Sequence, residues 1–257
     1  MPLQLLNPTK RFSSRVENYV RYRPGYPKEI IDLLRNDCGL TKKSVIADVG
    51  SGTGKLTELF LANGNRVFGI EPNKEMREAG ERLLKKFSRF VSVDGTAEVT
   101  TLPDQCADFI TAGQAFHWFD RRQCRAEFLR ILKPGGWVAI IWNDRRSNAT
   151  RFLAEYEKLL RLFATDYDQV NHRRANDTAA IREFFHIQPR LKIFPNAQWF
   201  DFDGLKGRLL SSSYAPEAGQ PGHDEMLKAL KVVFEAYVQN GRVVFEYDTH
   251  VHYGRMA

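Results

Sequence analysis

One short segment restricts the fold of this chain more than any other. Ser44–Val49 is a short apolar strand candidate, and it runs directly into Gly50-Ser51-Gly52-Thr53-Gly54. A helical pattern follows at once, over Leu56–Asn63. A strand that turns through glycines into a helix is the opening of a βαβ unit, and such units build parallel sheets. Glycines let the backbone bend sharply and let a ligand approach the main chain closely. The helix behind the bend offers unpaired N–H groups to an anionic group. The third glycine falls at Gly54, and Lys55 occupies the position where a dinucleotide fingerprint requires glycine or alanine. Val49 and Leu56 break the P-loop pattern at two places.

The rest of the first half continues the alternation. Strands are predicted at Arg66–Ile70, Phe90–Val93, Ala107–Ala112 and Trp137–Trp142, with helices at Lys74–Phe87 and Arg121–Leu132. Upstream, residues 15–23 and Lys28–Asp37 read as helices separated by Arg23-Pro24-Gly25-Tyr26-Pro27, with Gly39 as a stop. Downstream, Phe152–Phe163, Thr178–Phe185, Leu205–Leu210 and Glu225–Gln239 are helical, while Leu191–Phe202 and Arg242–Tyr253 are strand-like. No linker separates these parts. The expected organisation is a single domain over 1–257: N-terminal lid helices in 1–40, a ligand-binding core in 44–143, a helical insertion and substrate side in 144–240, and the last strand in 241–257.

The second strand ends in Gly69-Ile70-Glu71-Pro72. A carboxylate at that place can accept hydrogen bonds from both hydroxyls of a ribose, and Pro72 fixes the chain just beyond it. Beside the glycine-rich bend, Glu71 reads as a nucleoside anchor.

Composition narrows the function classes. No run of about 18 apolar residues is present, so no membrane-spanning helix is expected. Met1 to Phe12 lack the apolar core of a secretory signal. Cys38, Cys106 and Cys124 are odd in number and far apart, which disfavours disulfides and points to a reducing cytoplasm. The formal net charge of +7 favours anionic partners. The basic residues are scattered, so a solvated basic surface is preferred over a nucleic-acid patch. His250 and His252 lie on one face of the last strand without an evident third ligand, so no metal site is expected and an ordinary strand surface is preferred.

Taken together, these motifs resemble the class I S-adenosylmethionine-dependent methyltransferases, in the small-molecule group that includes trans-aconitate methyltransferase. Four further segments carry the resemblance: Asp94-Gly95-Thr96-Ala97-Glu98, Ala107-Asp108-Phe109-Ile110, Gln114-Ala115-Phe116-His117-Trp118-Phe119 and Leu132-Lys133-Pro134-Gly135-Gly136. Thr96 stands where the family usually has Asp. The likeness is dense over 44–143 and thinner over 12–27 and 198–254. It implies a Rossmann-like, doubly wound, seven-stranded α/β sheet, mostly parallel with an antiparallel last strand.

It also implies roles. S-adenosylmethionine would be held by Tyr22, Arg23, Asp48, Gly50, Ser51, Gly52, Gly54, Glu71, Pro72, Thr96, Ala97, Glu98, Gln114 and Phe116. Glu71 would take the ribose, Thr96 to Glu98 the adenine, and Arg23 the carboxylate of the amino-acid arm. Asp48 would sit under the bend, fixing loop amides or the arm's ammonium. His117, Trp118, Trp142 and Tyr214 would border the methyl acceptor. His117 is either a general base or a wall of the pocket. The Ser211–Pro216 segment is either a carboxylate-binding loop or a turn at a helix end. The acceptor is expected to be small and anionic, with a carboxylate favoured. An RNA or protein methyltransferase and a non-catalytic S-adenosylmethionine-binding protein are the alternatives.

Overall fold

The structure, a computed structural model, describes residues 15–165, 167 and 178–256. Residues 1–14 of the expected lid lie outside the described residues. Helices α1 (Val16–Tyr22) and α2 (Glu29–Cys38) come first, and α2 ends at Gly39 in the left-handed conformation, φ +72°. The alternating core follows: β1 (Val45–Val49), α3 (Lys55–Ala62), β2 (Arg66–Ile70), α4 (Lys74–Leu84), β3 (Phe90–Val93), β4 (Ala107–Gly113), α5 (Arg121–Ile131) and β5 (Leu132–Arg145). The remainder is α6 (Arg151–Phe163), α7 (Thr178–Phe185), β6 (Arg190–Phe200), α8 (Phe202–Leu210), α9 (His223–Tyr237) and β7 (Val243–Gly254). None of the described helices is long and apolar enough to cross a membrane.

The seven strands form one sheet in the order β3-β2-β1-β4-β5-β7-β6. The pairs β1–β2, β2–β3, β1–β4 and β4–β5 are parallel, whereas β7 runs antiparallel to both β5 and β6. The expected Rossmann-like sheet with its antiparallel last strand is therefore present. Chain order reverses between β1 and β4. Ligands in open α/β sheets bind at such a switch point, beyond the carboxyl ends of the strands. Strand β1 lies at the centre, with Ile46, Ala47, Asp48 and Val49 all buried. That explains its near-continuous apolar sequence, because both faces are covered by helices.

Some element ends differ from the sequence reading, and one difference matters for function. Helix α4 stops at Leu84, where the chain turns through Phe87 to enter β3. The strand-like segment expected at Leu191–Phe202 is present as β6, which pairs along its whole length with β7. Most important, β5 continues past Trp142 to Arg145. Asn143, Asp144 and Arg145 look like loop residues by composition, but they pair with Thr249, Asp248 and Tyr247 of β7. The antiparallel neighbour satisfies their backbone groups and carries Arg145 inward, to a half-buried position.

Apolar residues on the two faces of the parallel strands make the main core. A separate aromatic core joins α6, α8 and α9 to β6 and β7. Phe245 is its hub, with ring centroids 4.8 Å from Tyr156, 5.5 Å from Phe152 and 5.5 Å from Phe200. Helix ends are fixed by side-chain caps: Asn73 on α4, Asp120 on α5, Thr150 on α6 and Asp201 on α8. Each such cap contributes about 1 kcal/mol.

Candidate active site

The bend after β1 is built by glycines in backbone states that other residues rarely adopt. Gly50, Gly52 and Gly54 have φ of +69°, +57° and +85°. A Cβ on Gly50 would stand 2.5 Å from the Cβ of Ala115, and one on Gly54 would stand 2.5 Å from Leu84 Cδ1. Gly50 N and Ser51 N both donate to the Ile70 carbonyl, at 2.9 and 3.0 Å, which ties the bend to the end of β2. Glu71 completes the join. Its carboxylate accepts from Gly52 N at 2.8 Å and from Asn73 N at 2.9 Å. An ionised carboxylate has about four acceptor positions, so these bonds leave capacity for two ribose hydroxyls. Burial pushes the Glu71 pKa up, and the two amides and Arg77 oppose that shift. Arg77 also binds the Glu71 carbonyl and Asp94, at 2.8 and 2.9 Å, and so holds the ends of β2 and β3 together.

A groove of about 200 Å³ opens at this join. Gly50, Gly52, Glu71, Pro72, Thr96, Ala97, Glu98 and Gln114 all line it, together with Tyr19, Met76 and Trp118. The Thr96 hydroxyl closes its own turn by accepting from Glu98 N and Val99 N, at 3.3 and 3.1 Å. The Glu98 carboxylate accepts from Asp120 N at 2.8 Å. These three bonds set the rim of the groove around Ala97.

A second cavity, of about 110 Å³, adjoins the groove and shares Tyr19, Gly50, Gly52, Gly113, Gln114 and Trp118 with it. Arg23, Asp48, Ser51, His117, Trp142 and Tyr214 border this chamber. Asp48 is fully buried beneath the bend. Its partners are the hydroxyls of Thr57, at 2.6 Å, and Thr111, at 2.9 Å, rather than loop amides. Burial raises its pKa to about 6 against the pull of those hydroxyls. His117 packs 4.4 Å from Trp118 and 5.0 Å from Trp142, centroid to centroid, and forms an aromatic corner with them.

Three of the expected cofactor residues face elsewhere. The Phe116 ring is buried against Phe119 and Phe184, at 6.0 and 4.9 Å, because the 3-10 turn Phe116–Trp118 sends alternate side chains to opposite sides. Tyr22 lies on α8, where the absence of a side chain at Gly207 makes room for its ring. Gly54 caps α3 and packs on Leu84, so it shapes the bend without lining either cavity. Arg23 borders the chamber, but it also docks α1 onto the far side of the site through the Ser211 carbonyl at 2.9 Å. Ser211 takes the helix-end role, donating to the Arg208 carbonyl at 2.7 Å. His252 is not on an open strand surface: it is buried between β5 and β6, and burial beside His250 pushes its pKa down to about 4. No metal-holding cluster occurs among the described residues.

Sequence reasoning missed several groups. Lys55 donates to the Val20 carbonyl at 2.9 Å, so the residue that breaks the dinucleotide fingerprint anchors α1 over the bend. Asn143 donates to the Gly25 carbonyl at 3.1 Å and receives Thr249 Oγ1 at 2.5 Å, joining the segment between α1 and α2 to the sheet. Arg145, Tyr167, Arg208 and Tyr247 also border the chamber. Only Arg208 left a trace in the sequence. It follows Leu205 by three and precedes Leu209, which places a charge on the buried face of a helix.

Comparison with known proteins agrees with this geometry. Residues 47–140 match the family described as a methyltransferase domain. The chain is 32% identical over 152 residues to an uncharacterized methyltransferase of Schizosaccharomyces pombe, covering 59% of each. It is 37% identical over 134 residues to one of Mycobacterium tuberculosis, covering 52% of each. The aligned chain thus spans about half to three fifths of the length of the curated relatives it matches. Its fold is similar to that of a candidate type II methyltransferase of Anaeromyxobacter dehalogenans, with a TM-score of 0.67 and 20% identity over 91% of this chain and 98% of that one. Residues 47–140 thus resemble a methyltransferase domain, and they lie in a Rossmann-like seven-stranded sheet.

Proposed function

We propose that the chain is an S-adenosylmethionine-dependent methyltransferase acting on a small anionic acceptor, with a carboxylate favoured, as in the trans-aconitate methyltransferase group it resembles. One observation carries this reading. Gly52 N–H and the Glu71 carboxylate meet at 2.8 Å at the mouth of a groove, and that groove continues into an adjoining chamber with a further wall of its own. A two-part cavity of this kind suits a nucleoside in the groove, with its amino-acid arm and a methyl acceptor in the chamber.

Bound S-adenosylmethionine supplies an electrophilic methyl on a sulfonium whose departure as a neutral thioether needs no proton. In the proposed arrangement Glu71 accepts the ribose hydroxyls, and Thr96, Ala97 and Glu98 border the adenine. Asp48 and Arg23 face the ammonium and carboxylate of the amino-acid arm. The Gln114 backbone, held at φ +56° by side-chain bonds to Asn143, lies where groove and chamber meet. Such positioning lowers a barrier by about 7–11 kcal/mol in favourable cases. Lys55 and Arg23 hold α1 over the bend and limit access of water. His117 acts as a base only for an acceptor that must lose a proton. An ionised carboxylate needs none, and His117 then shapes the wall. Cys38, Cys106 and Cys124 are free, which suits a reducing cytoplasm.

The chamber volume favours a small acceptor over an RNA or protein chain. The test is calorimetry with S-adenosylhomocysteine, followed by an acceptor screen that reads its release. Micromolar binding with turnover on a small acid is the expected result. Folded protein that binds neither the cofactor nor its demethylated product would end the proposal. Binding without turnover on any acceptor would reduce it to a cofactor-binding protein.

A further inference from the structure

The chamber contains hydrogen-bond donors that the protein itself does not satisfy. Arg208 is buried, and no carboxylate among the described residues lies within ion-pair distance of it. Its two hydrogen bonds go to neutral hydroxyls, from Nε to Tyr247 Oη and from Nη1 to Ser212 Oγ, both at 3.3 Å. Neither uses Nη2. Arg145 stands across the same cavity. Its Nη2 is paired with Glu157 and with Tyr167 Oη, the latter at 2.9 Å, while its buried Nε has no partner. Tyr156 lies between the two: Arg145 is 5.0 Å from its ring, and Phe245, in contact with it, lies 5.9 Å below Arg208. The Tyr156 hydroxyl is buried without a partner as well.

A buried guanidinium without a counter-charge is costly and uncommon. The neighbouring positions of α8 show what stability alone would place there, namely Leu205 and Leu209. Packing therefore does not explain the charge. Glu157 neutralises Arg145 and Asp144 stands exposed at the rim, whereas no acid among the described residues pairs with Arg208. A guanidinium at the cavity wall whose Nη2 is left out of its own hydrogen bonds describes the complement of an anion. The planar fork of a guanidinium describes a carboxylate in particular.

We propose that Arg208, with Arg145 beside it, is the anion-binding fork of the acceptor chamber and selects a small carboxylate. The inference rests on the methyltransferase reading of the same site and assigns that site's acceptor class to a residue. Arg208 is a binding residue here, and Arg23 remains the partner of the cofactor's own carboxylate.

The experiment is a thermal-shift titration of the full chain saturated with S-adenosylhomocysteine. The probes are acetate, succinate and tricarballylate, each against its primary amide. At least one acid should raise the melting temperature while its amide does not. Arg208→Met should weaken that acid at least tenfold and leave S-adenosylhomocysteine affinity unchanged, which also shows that the variant folds. Arg208→Lys, which keeps the charge but not the fork, should retain part of the response. The proposal is overturned if acids and amides behave alike in the unaltered chain, because that comparison needs no variant. It is also overturned if Arg208→Met keeps the full acid response, or if it loses the cofactor product instead. If S-adenosylhomocysteine fails to bind at all, the methyltransferase reading falls. The acid titration of the unliganded chain then still decides whether Arg208 holds an anion.

Discussion

The groove and the chamber meet at Gly50, Gly52 and Gln114, yet they are built on different principles. The groove is mostly main chain. Its shape comes from positive-φ glycines, from amides bonded to the ends of neighbouring parallel strands, and from one carboxylate that accepts two of those amides. The chamber is mostly side chain. Its far wall is assembled from β5, α8 and β7 with Tyr167 and Tyr214, over an aromatic core centred on Phe245. A main-chain site tolerates little substitution and suits a ligand that never changes. A side-chain wall can be rebuilt one residue at a time, which suits the part of an enzyme that sets the acceptor.

Three experiments can break or sharpen this contrast. The largest expected effect is from Phe245→Ala, at the hub of the aromatic core. It should lower unfolding stability by about 3–5 kcal/mol, as for other buried Phe truncations, when followed by denaturant titration. If the two regions are separable, S-adenosylhomocysteine affinity should change little under folding conditions. A parallel loss of affinity would show that the groove depends on the chamber's core.

Glu71→Gln tests the opposite side. It keeps the size of the side chain but removes the charge that two backbone amides and a ribose would share. Hydrogen bonds to charged groups contribute about 1.5–3 kcal/mol, so calorimetry should show affinity for the cofactor product falling by about 10- to 100-fold. The acid response of the chamber should be unaffected. Unchanged affinity would remove Glu71 from the ribose.

The third experiment concerns Asp48, which belongs to the boundary between the two. Its folded pKa is raised by burial to about 6, above the ordinary carboxylate value. The folded state therefore holds a proton that the unfolded state has released, and stability declines as pH rises from about 4 to about 6. Asp48→Asn should match the unaltered chain near pH 4 and be more stable above pH 6, by up to about 3 kcal/mol in the absence of ligand. The same variant should bind S-adenosylmethionine more weakly, and the unaltered chain should lose affinity as pH falls below about 6. Melting curves that keep the same separation across this range would place Asp48 outside the titration. Opposite signs for stability and binding would mark a carboxylate retained for its ligand.

The two regions also differ in how much of them can be read from the chain alone. The bend, the acid that follows β2 and the alternation of strands and helices were all legible, whereas the antiparallel end of the sheet followed only from the family resemblance. Glycine torsions, strand length and helix periodicity act within a few residues of one another, and the parallel crossovers they imply leave few topologies open. Arg145 was hidden because Asn143-Asp144-Arg145 reads as a polar loop until β7 arrives, about a hundred residues later, to hold it in the sheet. His252 looked exposed because alternation identifies a shared face but not what covers it. Tyr22 and Phe116 carry the right motif but turn the wrong way, since side-chain direction at a helix end or a 3-10 turn depends on what packs behind it. The chamber was invisible for the same reason. No local preference relates Arg145, Tyr167, Arg208, Tyr214 and Tyr247, and only the packing of α6, α8 and β7 against one sheet brings their polar ends to a single cavity.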